Sequence, residues 1–273
     1  MTAVLIDAAT VFSALADRRA GRHLLLLFDF DGTLCAFDPD PDNVYLTETV
    51  RTFLGSLASK PASTVGIISG RRLPDLHKRA RIAPEIYLAG FHGLEIEAPG
   101  EAFMHPEAAA ATPLVRAIAE SMRPDLPSLP GVFIEDKVFS IALHYREAGA
   151  TVRAIARERF LDHAREDLTA GRLRLLPGAC VLELLPGVAW NKGRALEWIR
   201  ERVEQTRGPT FSVYVGDDVT DEDAFRAVGP HGMTVAASDR ASGAEFRVDG
   251  PEGVERLLRL LDRGDPEGVS GYL

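Results

Sequence analysis

The chain carries only two cysteines, Cys35 and Cys180, among 273 residues. That excludes a disulfide framework and fits a reducing, cytoplasmic setting. It also has no surplus of positive charge. Forty acidic side chains outnumber 31 basic ones, for a formal net charge of −9. A general nucleic-acid binder or a binder of anionic membranes needs a basic face, so neither partner is expected. An anionic small substrate stays open, because local cations can overrule a global balance. No apolar run approaches the ~18 residues that a membrane span requires. The opening MTAVLIDAATVFSALADRRAG has no basic start and no long apolar centre. It reads as an amphipathic helix closed by Gly21, not as a signal peptide. There is no internal repeat and no low-complexity tract. The tail DRGDPEGVSGYL is expected to be loose.

What is present is enough apolar content for a core. Hydrophobic residues make up 46% and charged residues 26%, the balance of a soluble, folded chain. Short apolar runs end in Gly or Asp and alternate with helical patterns. The runs are HLLLLFDF, STVGIISG (63–70), EIYLAG and FSVYVGDD (211–218), with MTVAAS and EFRVDG weaker. Helices are predicted over 47–59, 73–81, 192–203 and 221–228. Strands alternating with helices indicate a parallel sheet covered on both faces, with ligands at the carboxyl ends of the strands. The middle differs. PGVFIEDKVFSIALHYRE reads as a hairpin turning near Asp136 and Lys137, a helix follows over about 148–169, and RLRLLPGACVLELLP reads as a second hairpin turning at Pro177-Gly178. Hence an α/β core over 1–106 and 184–273 is predicted to hold an inserted α+β domain over 107–183.

Four clusters lie at strand ends: Asp29-x-Asp31-Gly32-Thr33, Ser69-Gly70-Arg71, Asn191-Lys192-Gly193, and Gly216-Asp217-Asp218-x-x-Asp221. If the first strand continues far enough, Asp29 and Asp31 share a face. Two close carboxylates repel, so one is protonated or a cation sits between them. Oxygen ligands in this number suit Mg²⁺, which uses few carboxylates and keeps several waters. A lysine, a hydroxyl and free amides suit a phosphate dianion. A carboxylate can itself be the nucleophile, with a second one serving as acid and then base. Each cluster alone has a plainer reading. Asp-Gly makes turns, Ser-Gly-Arg caps helices, and DDVTDED starts a charged helix. A nucleophilic thiol at Cys35 is weighed too, but no nearby Cys-His pairing stands out, and a small half-buried filler reads better. The combination, in this order, points to phosphoryl transfer.

DFDGTL, ISG, the isolated Lys192 and GDD together resemble the four motifs of the haloacid dehalogenase superfamily. GDDVTDEDAF (216–225) more particularly resembles the trehalose-6-phosphate phosphatase family, as do GFHGLEIE, NKGRAL and EDKVFSIALHYR. The resemblance runs from about residue 25 to 248. It implies a Rossmann-like parallel-sheet core with a cap domain, hydrolysis of trehalose 6-phosphate, and Mg²⁺ as cofactor; a monomer is expected. Asp29 would attack phosphorus, and Asp31 would protonate the leaving sugar and then activate water. Asp29, the main-chain carbonyl of Asp31 and Asp217 would bind the metal, with Asp218 supporting that site and Asp221 orienting it. Ser69 and Lys192 would hold the phosphoryl oxygens, with Gly70 and Arg71 beside them.

In the inserted domain, Ser140, His144 and Arg146 share strand parity opposite Phe139, Ile141 and Leu143. A solvated outer face is the plain account. The family likeness instead assigns Glu135 and Lys137 to sugar hydroxyls, with Glu183 and His92 as further sugar contacts. His144 and Arg146 would be scaffold or face the phosphate. A phosphatase for another sugar phosphate and a non-catalytic sugar-phosphate sensor are the competing readings. Intact Asp29, Asp31, Lys192 and Asp217 count against the sensor.

Overall fold

The structure is a computed structural model that describes residues 7–178 and 180–264. In chain order the first elements are α1 (Ala8–Arg19), β1 (His23–Phe28), α2 (Glu48–Ser59), β2 (Ser63–Ile68), α3 (Leu73–Ala80), β3 (Tyr87–Gly90), β4 (Glu95–Ala98) and β5 (Glu101–Met104). Then come α4 (Pro106–Met122), β6 (Phe133–Asp136), β7 (Ile141–His144), α5 (Ala150–Thr169), β8 (Leu173–Gly178) and β9 (Val181–Pro186). The chain ends with α6 (Lys192–Arg207), β10 (Thr210–Gly216), α7 (Glu222–Val228), β11 (Gly232–Ala236), β12 (Phe246–Arg247) and α8 (Gly250–Arg263). Most of the tail read as loose, and residues 1–6, lie outside the described residues. The chain divides into two compact units, Met1–Phe103 with Trp190–Leu273, and Met104–Ala189. Their limits compare with 106/107 and 183/184 read from the sequence.

The first unit is built on one sheet in the order β12-β11-β10-β1-β2-β3-β4-β5. Pairing is parallel from β12 to β3 and turns antiparallel at β4. β1 is apolar throughout because both of its faces are covered. Leu24, Leu26 and Phe28 pack with residues of α1, α2, α3 and α8, while Leu25 and Leu27 pack with residues of α6 and α7. Thr47 caps α2 by accepting the Val50 amide at 3.2 Å, and Asn191 caps α6 by accepting the Arg194 amide at 3.0 Å. The chain leaves this unit at Phe103 and re-enters it at Trp190. Those two rings stack with centroids 5.3 Å apart, and the Trp190 indole N–H donates to the Gly93 carbonyl at 2.7 Å.

The second unit has a four-stranded antiparallel sheet, β6-β7-β9-β8, with α4 and α5 on one face. Ile134, Ile141, Leu143, Leu173, Leu175, Leu182 and Leu184 cluster with Val115, Ile118, Met122, Ala156 and Phe160 of those helices. On the opposite face Glu135, Ala142 and Glu183 stand in register across three strands.

Several sequence expectations need correction. β1 stops at Phe28, so strand parity does not govern Asp29 and Asp31. A tight turn begins instead, with the Leu34 and Cys35 amides donating to the Phe30 carbonyl and Gly32 at φ +79°. The second hairpin does not turn at Pro177-Gly178. β8 runs through both residues, Gly178 faces Val181, and Cys180 takes a left-handed φ of 63°. Proline is tolerated there because β8 is an edge strand. Arg146 lies beyond the end of β7, in a turn closed by the Ala148 amide on the Tyr145 carbonyl, so its parity with Ser140 has no structural meaning. The β4–β5 hairpin and α4 had no sequence counterpart. Helix α6 also extends past 203 to Arg207. Among the described residues no helix is long and apolar enough to cross a membrane.

Candidate active site

β10, β1 and β2 are neighbours, with Phe28 in register with Val215 on one side and Ile67 on the other. The chain reverses its direction of winding between β1 and β10, where parallel sheets open a crevice at their carboxyl ends. The residues just past those ends are therefore side by side: Asp29, Ser69 and Asp217. The Asp29 amide continues the ladder, donating to the Val215 carbonyl at 2.9 Å.

Lys192, the first residue of α6, is buried and contacts this group. Its ammonium donates to Asp29 Oδ1 and, at 2.7 Å, to Asp221 Oδ1. Asp221 is fixed from two further directions: the Tyr214 hydroxyl donates to Oδ1 at 2.7 Å and the Asp218 amide to Oδ2 at 2.9 Å. Thr33 donates to Asp217 Oδ1 at 3.1 Å, and Ser238 donates to the Asp217 carbonyl at 2.7 Å. Two glycines make room. A Cβ on Gly32 would fall 2.3 Å from Asp217 Oδ2, and one on Gly216 would fall 2.3 Å from the Asp221 carboxyl carbon.

Asp29, Asp217 and Asp221 each offer a carboxylate oxygen within 4.8 Å of the others. Three carboxylates against one ammonium leave two negative charges, the amount a divalent cation balances. The titration behaviour reflects that imbalance. Burial raises Asp29 well above the carboxylate range, Lys192 opposes this, and the charges of Asp221 and Asp217 add to it. Burial and Asp221 push Asp217 up to about 6. Burial alone would lower Lys192, but Asp29 and Asp221 outweigh it and hold the ammonium above its ordinary value. Burial and the Asp221 charge raise Tyr214, which stays a neutral donor. Crowded, hard-oxygen donors of this kind fit Mg²⁺.

The predicted residues are distributed as follows. Asp221, expected to orient the metal ligands, stands inside the acidic group. Asp218 is not in that group, and its amide steadies Asp221. The Asp31 carboxylate is likewise outside it, gripped by Arg71 through Nε on Oδ2 at 2.7 Å and Nη2 on Oδ1 at 2.6 Å. The repulsion expected between Asp29 and Asp31 is thus met by two separate cations, Lys192 for one and Arg71 for the other. Arg71, expected among the substrate contacts, also donates to Asp75 at 2.9 Å and to the Pro41 carbonyl at 3.2 Å. Ser69 Oγ accepts the Arg71 amide at 3.1 Å, so its own O–H remains to donate. Gly70 lies against His92: a Cβ there would sit 2.9 Å from the His92 ring. His92 holds a left-handed φ of 57°. Burial and Asp31 push the Cys35 thiol up to about 12, which removes it as a thiolate nucleophile.

In the second unit, Glu183 accepts from the Ser140 hydroxyl at 2.5 Å and from Lys137 at 3.2 Å. Glu135 lies 2.9 Å from His144 Nε2 and 4.0 Å from the Lys137 ammonium. Glu135, Lys137 and Glu183 thus share one hydrogen-bonded group with Ser140 and His144. Tyr214 was not singled out from the sequence. A phenol inside the apolar run FSVYVG, two residues before Gly216, is the signal that would have found it.

The parallel sheet with its switch point, and the α+β unit inserted in the chain, have the fold of a haloacid dehalogenase-like hydrolase. The fold matches such a hydrolase from Bacteroides thetaiotaomicron with a TM-score of 0.60 at 14% identity, over 87% of this chain and 99% of that one. It matches the C-terminal domain of C. albicans trehalose-6-phosphate phosphatase with a TM-score of 0.75 at 22% identity, over 96% and 98%. The trehalose-phosphate phosphatase of Mycobacterium avium (strain 104) is 39% identical, covering 96% of this chain and 68% of that protein. The family model for trehalose-phosphatase spans residues 27–252. The chain belongs to the trehalose-phosphatase family, a family of phosphoric monoester hydrolases.

Proposed function

We propose that the chain is a Mg²⁺-dependent phosphatase that hydrolyses trehalose 6-phosphate to trehalose and phosphate through an aspartyl-phosphate on Asp29. One observation carries the reading: Lys192 bridges Asp29 and Asp221, which lie 163 and 29 residues away in sequence, with Asp217 in the same acidic group. Asp29 and Asp217, with the Asp31 main-chain carbonyl, would hold the metal, and Asp218 and Asp221 would support them. The metal would supply positive charge to the phosphoryl oxygens and to Asp29 together.

The chain's own groups perform the displacements. Asp29 has its Oδ1 on Lys192, and its Oδ2 receives no hydrogen bond among the described residues. That oxygen attacks phosphorus as the bond from phosphorus to the sugar oxygen breaks. Asp31 serves as the acid that passes a proton to that oxygen. Asp31, now a carboxylate, takes a proton from water, whose oxygen attacks the aspartyl-phosphate and regenerates Asp29. Ser69 donates its O–H to a phosphoryl oxygen and Lys192 offsets the developing charge. Within the inserted unit, the hydrogen-bonding groups of Glu135, Lys137 and Glu183 suit sugar hydroxyls. Groups that hydrogen-bond hydroxyls reject sugars that leave them unpaired.

The test is phosphate release from trehalose 6-phosphate, sucrose 6-phosphate and glucose 6-phosphate, with and without chelator. Metal-dependent release from the first in preference to the others is expected. Preference for another ester would change the substrate, and no release from any, with Mg²⁺ present, would leave a sensor.

A further inference from the structure

Arg71 does not hold Asp31 alone. Its Nη1 donates to Asp75 Oδ2 at 2.9 Å, and the other oxygen of Asp75 accepts Arg79 Nε at 2.7 Å. Arg79 is buried, with 3% of its side chain exposed. It donates to Asp42 Oδ1 at 2.5 Å, to the Asp42 carbonyl at 2.9 Å and to the Val44 carbonyl at 3.3 Å. Opposite charges thus alternate without a break from Asp31 through Arg71, Asp75 and Arg79 to Asp42.

We propose that Asp75 and Arg79 are positioning residues for the reaction: they hold the Arg71 fork, and through it set the direction of the Asp31 carboxyl group. This rests on the phosphatase reading above. Four features of the geometry carry it. The guanidinium of Arg71 meets both oxygens of Asp31 side-on, an arrangement that fixes the rotation of the carboxylate as well as its place. That fork stays in its plane because Asp75 takes Nη1, the Pro41 carbonyl takes Nη2, and the Phe30 ring lies 5.6 Å from the guanidinium carbon. Asp75 has its other oxygen committed to Arg79, so it cannot rotate away from Arg71 without breaking a second ion pair. Arg79 is anchored in turn by the Asp42 and Val44 carbonyls of the segment that follows the catalytic turn. Neither Asp75 nor Arg79 hydrogen-bonds to the acidic group around Lys192, and their hydrogen-bonded link to Asp31 runs through Arg71.

Positioning matters here because Asp31 has to serve two oxygens in turn, the leaving sugar oxygen and the attacking water, from one place. A carboxyl group free to rotate would still bind its neighbours but would meet neither oxygen reliably. The loss should therefore fall on kcat.

The experiment uses the full chain with Mg²⁺ and trehalose 6-phosphate. Asp75→Asn keeps the shape and removes the charge. It is expected to lower kcat about 10-fold or more, with KM within about twofold of wild type. Asp75→Glu restores the charge and is expected to recover part of the loss. Should Asp75→Asn fail to fold, Arg79→Lys serves in its place, since it keeps the charge but loses the fork that meets Asp75 and Asp42 together; the same fall in kcat is expected. Unchanged kcat in a folded variant overturns the proposal. So does a fall in kcat matched by an equal rise in KM. An inactive wild-type chain would overturn the phosphatase reading itself, and this proposal with it.

Discussion

Replacing Lys192 by methionine tests the central electrostatic arrangement. The substitution keeps most of the side-chain volume and removes, among the described residues, the only cation that touches both Asp29 and Asp221. The side chains are 3%, 7% and 0% exposed for Lys192, Asp29 and Asp221, so water can replace little of what is lost. Taking one partner from a buried ion pair costs about 3–5 kcal/mol, because the remaining charge is left uncompensated. A domain of this size loses about 2–4 °C of melting temperature per kcal/mol. The variant should therefore melt roughly 6–20 °C below wild type at pH 8 in chelator. Protonation should relieve the deficit. Asp29 and Asp217 already titrate above the unfolded carboxylate range, and without Lys192 they should rise further. Groups with a raised folded pKa destabilise the fold only when ionised, so the penalty is absent below the unfolded value and grows as pH rises through the folded one. The gap to wild type should narrow at pH 5. Thermal unfolding followed by circular dichroism at both pH values measures it. A variant within about 2 °C of wild type at pH 8 would refute the reasoning, as would a deficit equal at pH 5 and pH 8.

Three further outcomes are expected. Asp29→Asn should reduce phosphate release to background while leaving the chain folded; release near the wild-type rate would remove Asp29 as nucleophile. The chelated wild-type chain should gain about 1–2 kcal/mol on going from pH 7 to pH 5, because the half-buried Asp217 at about 6 is raised above its unfolded value, and saturating Mg²⁺ should abolish that gain; urea unfolding at the two pH values checks both statements. Glu183→Ala strips Lys137 and Ser140 of their shared acceptor, and should raise KM for trehalose 6-phosphate about 10–100-fold at one charged hydrogen bond's worth of binding; an unchanged KM in steady-state assays would take Glu183 out of sugar recognition.

Much of this architecture is legible in the sequence because the sheet is buried on both faces. A run such as Leu24–Phe28 has no polar alternation to confuse it with a surface strand, and the acids that follow mark where burial ends. The four strand-end clusters could be named for the same reason. Other parts are hidden for physical reasons. Pro113 lies inside α4 and reads as a breaker, yet the helix runs through it. The β4–β5 hairpin is made of two short strands, Glu95–Ala98 and Glu101–Met104, with Glu at both starts and too little alternation to register. The pairing of Asp31 with Arg71 spans 40 residues, and nothing local to either residue announces it. Asp221 is named from the sequence only as a residue that orients the metal site, and the fold shows it at 0% exposure, bonded to Lys192 and Tyr214.

The Phe103–Trp190 stack sets the place where the main chain departs from the core and the place where it returns within one aromatic contact of each other. A bridge of a few residues could join them with no strand of the core displaced. The inserted unit is therefore, in topological terms, a detachable module: excising it should leave a core that still folds, and a different module could be spliced at the same doorway.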